Sequence, residues 1–189
     1  MSWTEKGSTN GWLALDRNGN GVIDGAKELF GNITPQPSSS DPNGFRALAV
    51  FDEPENGGNG DGVIDAQDAV WPKLLVWIDA NHDGISEPGE LHHLDEMGIH
   101  SIDLRYGESR YTDAFGNQFR YKGRLNPDKG GSVNRKIYDV ILVQLQPQTA
   151  ERWTLGNALK SKAYDALGFS RPVRSTPAMA MGCNRVDRR

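Results

Sequence analysis

Three stretches in the first half of the chain repeat one pattern of acidic, amide and glycine residues. They run from Leu15 to Phe30, from Phe51 to Ala69 and from Trp77 to Leu91. Because glycine beside Asp or Asn marks turns and interrupts helices and strands, each stretch is predicted to be a loop between short elements. The 22 glycines and 10 prolines gather around these acids and do not form a low-complexity tract. We therefore expect many ordered loops and few long elements.

The third loop has the spacing of oxygen ligands that a calcium ion needs. Calcium takes about six to eight oxygens, and a loop supplies them from alternating side chains, one backbone carbonyl and a last carboxylate. Donors stand at the first, third, fifth, seventh and twelfth positions, namely Asp79, Asn81, Asp83, the carbonyl of Ile85 and Glu90. Gly84 occupies the sixth position, where the chain must turn around the ion. Glu87, at the ninth position, is a further donor, either direct or through water.

The first loop has the same first half but an irregular end. Its predicted donors are Asp16, Asn18, Asn20, the carbonyl of Val22, Asp24 and Glu28. The twelfth residue is Lys27, a cation that would oppose binding if it faced the ion, and Glu28 follows one place later. This loop must therefore be one residue longer than the third, or it must use Asp24 instead. Because amides fill its third and fifth positions, we expect it to bind calcium more weakly.

The second loop has an irregular beginning. Its predicted donors are Asp52, Asn59, Asp61, the carbonyl of Val63 and Asp68. The residue two places before Asn59 is Gly57, so Asp52 can be the first ligand only if Glu53 to Gly58 bulge outwards. Asp, Asn and Gly are also ordinary turn residues that need no metal, and this alternative stays open above all for the second loop. The sequence thus predicts two or three calcium ions, and magnesium is disfavoured because it requires a tighter octahedron.

Short elements of both kinds are predicted around these loops. Apolar residues recur at helical spacing in Asn43 to Phe51. Further short helical segments are predicted at Ala26 to Phe30, Ala66 to Trp71 and Pro88 to Met97. Leu74 to Ile78 is predicted to be a buried strand, and Trp71 and Trp77 are expected in the core.

The second half alternates apolar and polar residues, as strands with one buried face do. The alternating segments are Ser101 to Tyr106, Arg110 to Thr112, Gln118 to Lys122 and Lys136 to Gln146. Gly116 and Asn117 lie between two of them and predict a hairpin turn. We therefore predict an α+β fold, in which short helices with EF-hand-like calcium loops pack on a small antiparallel sheet.

The predicted domain organisation is one module with a tail. Residues 1–148 are predicted to form the calcium-binding α+β module, 149–167 an amphipathic helix, and 168–189 a disordered basic tail. The net charge is -4, but residues 151–189 hold eight Lys or Arg against three acids, so the body is strongly acidic. Such a body suits cations and argues against a nucleic-acid partner. The single cysteine, Cys183, cannot form an internal disulfide.

Neither a membrane span nor a signal peptide is predicted in this chain. No apolar run approaches the roughly 18 residues of a membrane-spanning helix, and Met1 to Trp12 is too polar for a signal peptide. An exposed edge of the predicted sheet could bind a protein partner, which the sequence does not identify.

Four strings together resemble a known calcium-binding module. They are LALDRNGNGVIDGAKELFGN at 13–32, NGFRALAVFD at 43–52, NGDGVIDAQDAVWPKLLVWIDANHDGISEPGEL at 59–91 and the following MGIHSIDL. Over roughly residues 10–125 the chain is similar to EF-hand-like modules of bacterial haemolysin-like and repeats-in-toxin proteins, including modules related to self-processing. The resemblance implies a secreted or cell-surface protein that folds when it meets calcium. It also implies metal roles for Asp16, Asn18, Asn20, Glu28, Asp61, Asp79, Asn81, Asp83 and Glu90.

The alternative function is a calcium-dependent self-processing or hydrolytic module. Some members of the resembled family cleave an Asp-Pro bond that lies directly upstream of a further Asp-rich segment. This sequence has neither feature upstream, and its only Asp-Pro pair, Asp41-Pro42, also fits a helix entry. The histidines lack the spacing of a zinc site, and no nucleophile elbow is present. The sequence therefore predicts a binding module rather than an enzyme, with no catalytic residue assigned.

Overall fold

The computed structural model describes residues 10–126 and 135–143 with their side chains, and 179–183 by backbone alone. All of these belong to one compact unit made of Ser2–Val143 and Thr176–Arg189. The other unit, Gln144–Ser175 with Met1, lies outside the described residues, as do the helix predicted at 149–167 and most of the tail predicted at 168–189.

The described part of the chain is predominantly β. It contains nine strands, one α-helix of six residues and four 3-10 turns. The strands are β1 (Gly11–Leu15), β2 (Val63–Asp65), β3 (Leu74–Trp77), β4 (Leu91–His93), β5 (Ser101–Asp103), β6 (Gly107–Thr112), β7 (Gln118–Arg124), β8 (Lys136–Ile141) and β9 (Met179–Cys183). The helix α1 spans Gly44–Ala49. The predicted α+β class, with helices beside the loops, is therefore wrong.

Most of the strands join a single sheet. Its order is β4-β3-β1-β9-β8-β7-β6, and β2 and β5 form a separate pair. Neighbouring strands are antiparallel, except that β9 runs parallel to both β1 and β8. The strands predicted at 74–78, 101–106, 110–112, 118–122 and 136–146 are confirmed in position, with the bounds given above.

Three of the four predicted helical segments are wrong, and in Pro88 to Met97 strand pairing overrides the local helical spacing. Pro88–Glu90 is a 3-10 turn, after which Leu91–His93 forms β4 and pairs with β3. A hydrogen-bonded ladder with a buried strand outweighs a short helix that Gly89 already weakens. Ala66 to Val70 forms turns that lead into a 3-10 turn at Trp71–Lys73.

The helix predicted at Asn43 to Phe51 is confirmed as α1. Asn43 is its N-cap, and the side chain accepts the N–H of Arg46 at 3.0 Å. This bond satisfies one of the backbone donors that a helix start leaves open. The segment Ala26 to Phe30 forms a hydrogen-bonded turn and an isolated bridge, without an α-helical turn.

Strand β1 is buried over its whole length and separates two apolar clusters. Leu13 and Leu15 pack in a cluster with Phe45, while Trp12 and Ala14 pack in a cluster with Trp77. Such alternation is expected of a strand with core on both faces. The predicted core positions of Trp71 and Trp77 are confirmed. Among the described residues, no helix is long and apolar enough to cross a membrane.

A buried aspartate fixes the start of α1 to the sheet. Asp139 of β8 is fully buried; it accepts the N–H of Gly44 at 3.0 Å and forms a salt bridge with Arg120 at 2.9 Å. Burial raises the pKa of Asp139, although Gly44 and Arg120 oppose that shift. Arg120 also reaches the carboxylate of Asp41, so one guanidinium joins two carboxylates. The connector before α1 is thereby held against β7 and β8.

Candidate metal centre

The three acidic loops share one backbone geometry. We name them loop 1 (Asp16–Glu28), loop 2 (Asp52–Asp68) and loop 3 (Asp79–Glu90). Each residue of loops 1 and 2 is given the position of its counterpart in loop 3. The fourth and sixth residues of every loop then have a positive φ. These residues are Gly19, Gly60 and His82 at the fourth position, with φ of 73°, 74° and 65°, and Gly21, Gly62 and Gly84 at the sixth, with φ of 83°, 83° and 75°. The chain therefore turns in the same way three times.

The first acid of each loop is held by the same backbone donor. The N–H of the sixth residue donates to Asp16 at 2.8 Å in loop 1, to Asp52 at 3.0 Å in loop 2 and to Asp79 at 3.2 Å in loop 3. Asp52 therefore occupies the place of the first acid, although it is far from the rest of its loop in sequence. This bond directs the carboxylate towards the centre of the loop.

The third and fifth side chains are also oriented alike. The oxygen of the third residue accepts the N–H of the fifth, and the oxygen of the fifth accepts the N–H of the seventh. The six acceptors are Asn18, Asn20, Asn59, Asp61, Asn81 and Asp83. Such bonds hold the short polar side chains on the inner side of the turn. The backbone thus presents the side-chain oxygens of each loop in one order.

The last carboxylates of loops 1 and 3 occupy equivalent places. Glu90 accepts the N–H of Ala80 at 2.8 Å, and Glu28 accepts the N–H of Arg17 at 3.2 Å. Both donors are the second residue of their own loop. Glu28, and not the exposed Lys27, therefore corresponds to Glu90, so loop 1 contains one extra residue. Asp24 lies in the same loop and accepts the side-chain amide of Asn20 at 2.8 Å.

Loop 2 contains a longer insertion, and Asp52, Asn59 and Asp61 nevertheless accept the same backbone hydrogen bonds as their counterparts in the other loops. Pro54–Asn56 forms an exposed 3-10 turn within this insertion. The chain then returns so closely that a Cβ on Gly58 would lie 2.2 Å from the carbonyl carbon of Asp52. Only glycine permits this approach. Asp68 closes the loop, where it accepts the N–H of Asp65 at 2.8 Å.

Two carboxylate oxygens of the loops are buried without any hydrogen-bond donor. They are Oδ1 of Asp68 and Oδ1 of Asp79. Four acids of the loops have at most 9% of their surface exposed, namely Glu28, Asp52, Asp68 and Glu90. Within the described residues, the salt bridges involve only other acids. Because a buried carboxylate is costly without a cation or a full set of donors, these oxygens fit a bound cation.

The electrostatics of the loop acids differ between the loops. Burial raises the pKa of Asp68, and the charges of Asp52 and Asp65 add to this shift, while backbone donors oppose it. In loop 1 the N–H of Gly21 lowers the pKa of Asp16. A cation beside Asp68 would offset both its burial and its repulsion from the neighbouring acids. A cation in loop 2 would therefore remove an unfavourable interaction of Asp68.

The donor set is that of a hard cation. The loops offer carboxylate, amide and carbonyl oxygens, which calcium prefers, whereas zinc is usually held by His or Cys. Among the described residues, no three or more His, Cys, Asp and Glu side chains form a cluster suited to a metal. The Asn side chains and the carbonyls of Val22, Val63 and Ile85 are not of these four residue types, and they make up the rest of each proposed ring.

Two contacts of the loops had no signal in the sequence. The hydroxyl of Ser86 bonds to the backbone of Ile23, 63 residues away. The indole Nε1 of Trp77 donates to Oε2 of Glu90 at 3.3 Å. Neither contact follows a local spacing rule, so only the fold shows that the loops are tied to each other and to the core.

The fold and the site together define a β-sheet domain that carries three acidic loops of one geometry. Residues 1–143 match the family model of the SPM domain, and the chain belongs to this family. The iron-regulated protein FrpA of Neisseria meningitidis serogroup C is 40% identical over 165 residues, which are 86% of this chain. The aligned chain covers only 14% of the length of that relative. The resemblance to haemolysin-like and repeats-in-toxin modules stays a prediction.

Proposed function

We propose that this domain binds calcium in its three acidic loops and that the ions stabilise the fold. The observation that carries the proposal is the buried, unpartnered Oδ1 of Asp79 inside a loop with a complete set of calcium donors. Asp68 repeats the observation in loop 2. Most buried polar atoms have a hydrogen-bond partner, and a bound cation would supply one for these two oxygens.

Each loop would hold one ion through a named set of oxygens. Loop 1 would use Asp16, Asn18, Asn20, Val22, Asp24 and Glu28; loop 2 would use Asp52, Asn59, Asp61, Val63 and Asp68; loop 3 would use Asp79, Asn81, Asp83, Ile85 and Glu90. The ion supplies positive charge that neutralises buried carboxylates and joins distant parts of one loop. In loop 2 the ion would join Asp52, which follows α1, to Asp68, in the turn after β2.

The effect of calcium is expected to be on stability. A ligand that binds only the folded state stabilises it by RT ln(1 + [L]/Kd), which is about 2.7 kcal/mol at a hundredfold excess over Kd. Loop 3 connects β3 to β4, and loop 1 begins directly after β1. The ions would therefore order the connections of the main sheet, which contain no long helix of their own.

A secreted or cell-surface location is part of the proposal. Extracellular modules bind calcium with dissociation constants of about 0.1 to 1 mM, so even weak loops would fill outside a cell. Calcium is the partner that the loops support. The prediction of a further protein partner has no particular described residue in its favour and stays a prediction, as does the absence of a nucleic-acid partner.

The alternative of cleavage at Asp41-Pro42 has less support. The carboxylate of Asp41 accepts the hydroxyl of Tyr121 at 2.6 Å and pairs with Arg120 at 3.1 Å. Pro42 stands directly before the N-cap of α1. Both residues therefore serve the fold at this place. If cleavage did occur, calcium added to pure protein would release fragments on a gel, and Asp41→Ala would prevent their release.

Calorimetry of chelator-treated protein tests the proposed function. We expect heat of calcium binding, together with a calcium-dependent rise in melting temperature. Asp79→Ala should remove one ion from the stoichiometry. Asp95→Ala is the matched control, because Asp95 is exposed and lies outside the loops, and it should leave the stoichiometry unchanged. Absence of binding heat and of a thermal shift in the unaltered protein would reject the proposal.

A further inference from the structure

A single buried hydroxyl joins loop 1 to loop 3. The N–H of Ile23 donates to Oγ of Ser86 at 2.6 Å, and the hydroxyl of Ser86 lies 3.3 Å from the carbonyl oxygen of Ile23, to which it donates. Both residues are buried, with 6% and 4% of their surface exposed. One side chain thus satisfies both backbone groups of a residue that is 63 positions away.

Ile23 and Ser86 stand at the same place in their loops. Each is the eighth residue, and each directly follows the residue whose carbonyl is the proposed seventh ligand. Those residues are Val22 in loop 1 and Ile85 in loop 3. When an ion draws in the carbonyl of Val22, the N–H of Ile23 must move with it, because both belong to one planar peptide unit. The Ser86 bond therefore connects the two ion sites by a short path.

Loop 2 lacks this connection. Its eighth residue is Ile64, which lies in β2 and pairs with Ile102 of β5. The backbone of loop 2 is therefore anchored to the small sheet. Among the described contacts, no hydrogen bond joins loop 2 to the eighth position of another loop.

The core supports the pairing of loops 1 and 3. Ile23 packs in the same apolar cluster as Trp77. The indole of Trp77 donates in turn to Glu90, the last proposed ligand of loop 3. Loop 1 thus contacts loop 3 next to its seventh ligand, and it shares an apolar cluster with the tryptophan that bonds to the twelfth.

We infer that loops 1 and 3 bind calcium as a coupled pair, that Ser86 transmits the coupling, and that loop 2 binds independently. The inference rests on the proposed function and adds a regulatory property to it. Calcium in one loop fixes the Ile23 and Ser86 contact, so the other loop loses less conformational freedom when it binds. Linkage requires the effect to be equal in both directions.

Site-specific titration by NMR can test this arrangement. The N–H of the sixth glycine donates to the first acid of each loop, so the amide signals of Gly21, Gly62 and Gly84 report the three loops separately. Asp16→Ala should abolish calcium binding in loop 1 and lower the calcium affinity of loop 3 by about 5- to 10-fold, within the usual range of coupling between sites. Asp52→Ala should disable loop 2 and change loop 3 by less than about twofold.

Ser86→Ala tests the path of the coupling. When Ser86→Ala is already present, Asp16→Ala should lower the calcium affinity of loop 3 by less than about twofold, because the contact that transmits the effect is absent. Ser109→Ala is the matched control, since Ser109 is a partly exposed serine of β6, outside the three loops, and it should preserve the full effect. Circular dichroism without calcium checks that each variant folds, and Asn18→Ala replaces Asp16→Ala if the latter does not.

The outcomes separate the inference from the proposed function. If no glycine signal responds to calcium, the proposed function fails. If the signals respond but Asp16→Ala leaves loop 3 unchanged, the coupling alone is refuted. If the effect of Asp16→Ala persists in full in Ser86→Ala, the role of Ser86 is refuted. Loss of the effect in Ser86→Ala, with retention in Ser109→Ala, supports the inference.

Discussion

Replacing Asp68 by asparagine should stabilise the calcium-free protein and reduce the stabilisation that calcium provides. Asp68 has 2% of its surface exposed, and its Oδ1 has no donor. Without an ion, the carboxylate bears the cost of burial and the repulsion of Asp52 and Asp65. Asparagine removes the charge and keeps an oxygen for the N–H of Asp65. A buried charge without compensation costs more than a buried neutral amide, so Asp68→Asn should stabilise the calcium-free protein by about 1 kcal/mol.

With calcium present, weaker binding should offset this gain, which leaves a net change of about -0.3 kcal/mol in the free energy of unfolding. The neutral amide would be a weaker ligand than the carboxylate, and a tenfold loss of affinity lowers the linkage stabilisation at a hundredfold excess from about 2.7 to about 1.4 kcal/mol. The effect of calcium on the free energy of unfolding should therefore be smaller by about 1.3 kcal/mol in Asp68→Asn. Urea denaturation in chelator and in excess calcium measures both free energies of unfolding.

A control substitution in the same loop and the pH dependence of stability test the same prediction. Asp61→Asn removes an exposed acid of the same loop, so it should weaken calcium binding without any gain in chelator. Because the folded pKa of Asp68 is raised above 3.8, its favourable proton linkage is complete below that pH and is lost as the pH rises through the folded pKa. The advantage of Asp68→Asn in chelator should therefore shrink as the pH falls towards 3.8. If Asp68→Asn destabilises the calcium-free protein by more than about 1 kcal/mol, the reasoning is refuted.

Three further predictions concern single positions. Glu28→Gln should weaken loop 1 at least about tenfold in calorimetry, whereas Lys27→Gln should change it less than about twofold, since only Glu28 corresponds to Glu90. His82→Gly should raise the free energy of unfolding in chelator by about 0.5 kcal/mol, because a φ of 65° strains a residue with a Cβ. Tyr121→Phe should cost about 1–2 kcal/mol in urea denaturation. The hydrogen bond to Asp41 raises the pKa of Tyr121 to about 12, so its stabilising contribution is complete below pH 10 and is lost as the pH rises to about 12. Tyr121→Phe should lack that loss.

The loops could be located from the sequence because their spacing is local. The geometry of loop 3 follows directly from residues 79–90, and the extra residue before Glu28 was one of two alternatives that the spacing allowed. The place of Asp52 could be stated only as a condition, since it depends on an exposed turn at Pro54–Asn56 that the donor spacing does not predict. The metal roles of all these residues remain proposals.

Two strands after the loops, β4 and β9, could not be predicted because non-local contacts decide them. Leu91–His93 forms a strand because β3 lies beside it, although the segment has the apolar spacing of a helix. The position of β9 between β1 and β8 likewise depends on strands that are more than thirty residues away in the chain. The bond between Ser86 and Ile23 has the same origin. Spacing rules describe neighbours in sequence, and these elements are set by neighbours in space.

The calcium stoichiometry of the folded protein tests the central claim most directly. Equilibrium dialysis of chelator-treated protein against calcium, with the bound metal measured by atomic emission, gives the number of ions per chain. The shared geometry of the loops predicts three ions, and two for Asp52→Ala or Asp79→Ala. A chain that retains no calcium at saturating concentration would contradict the account.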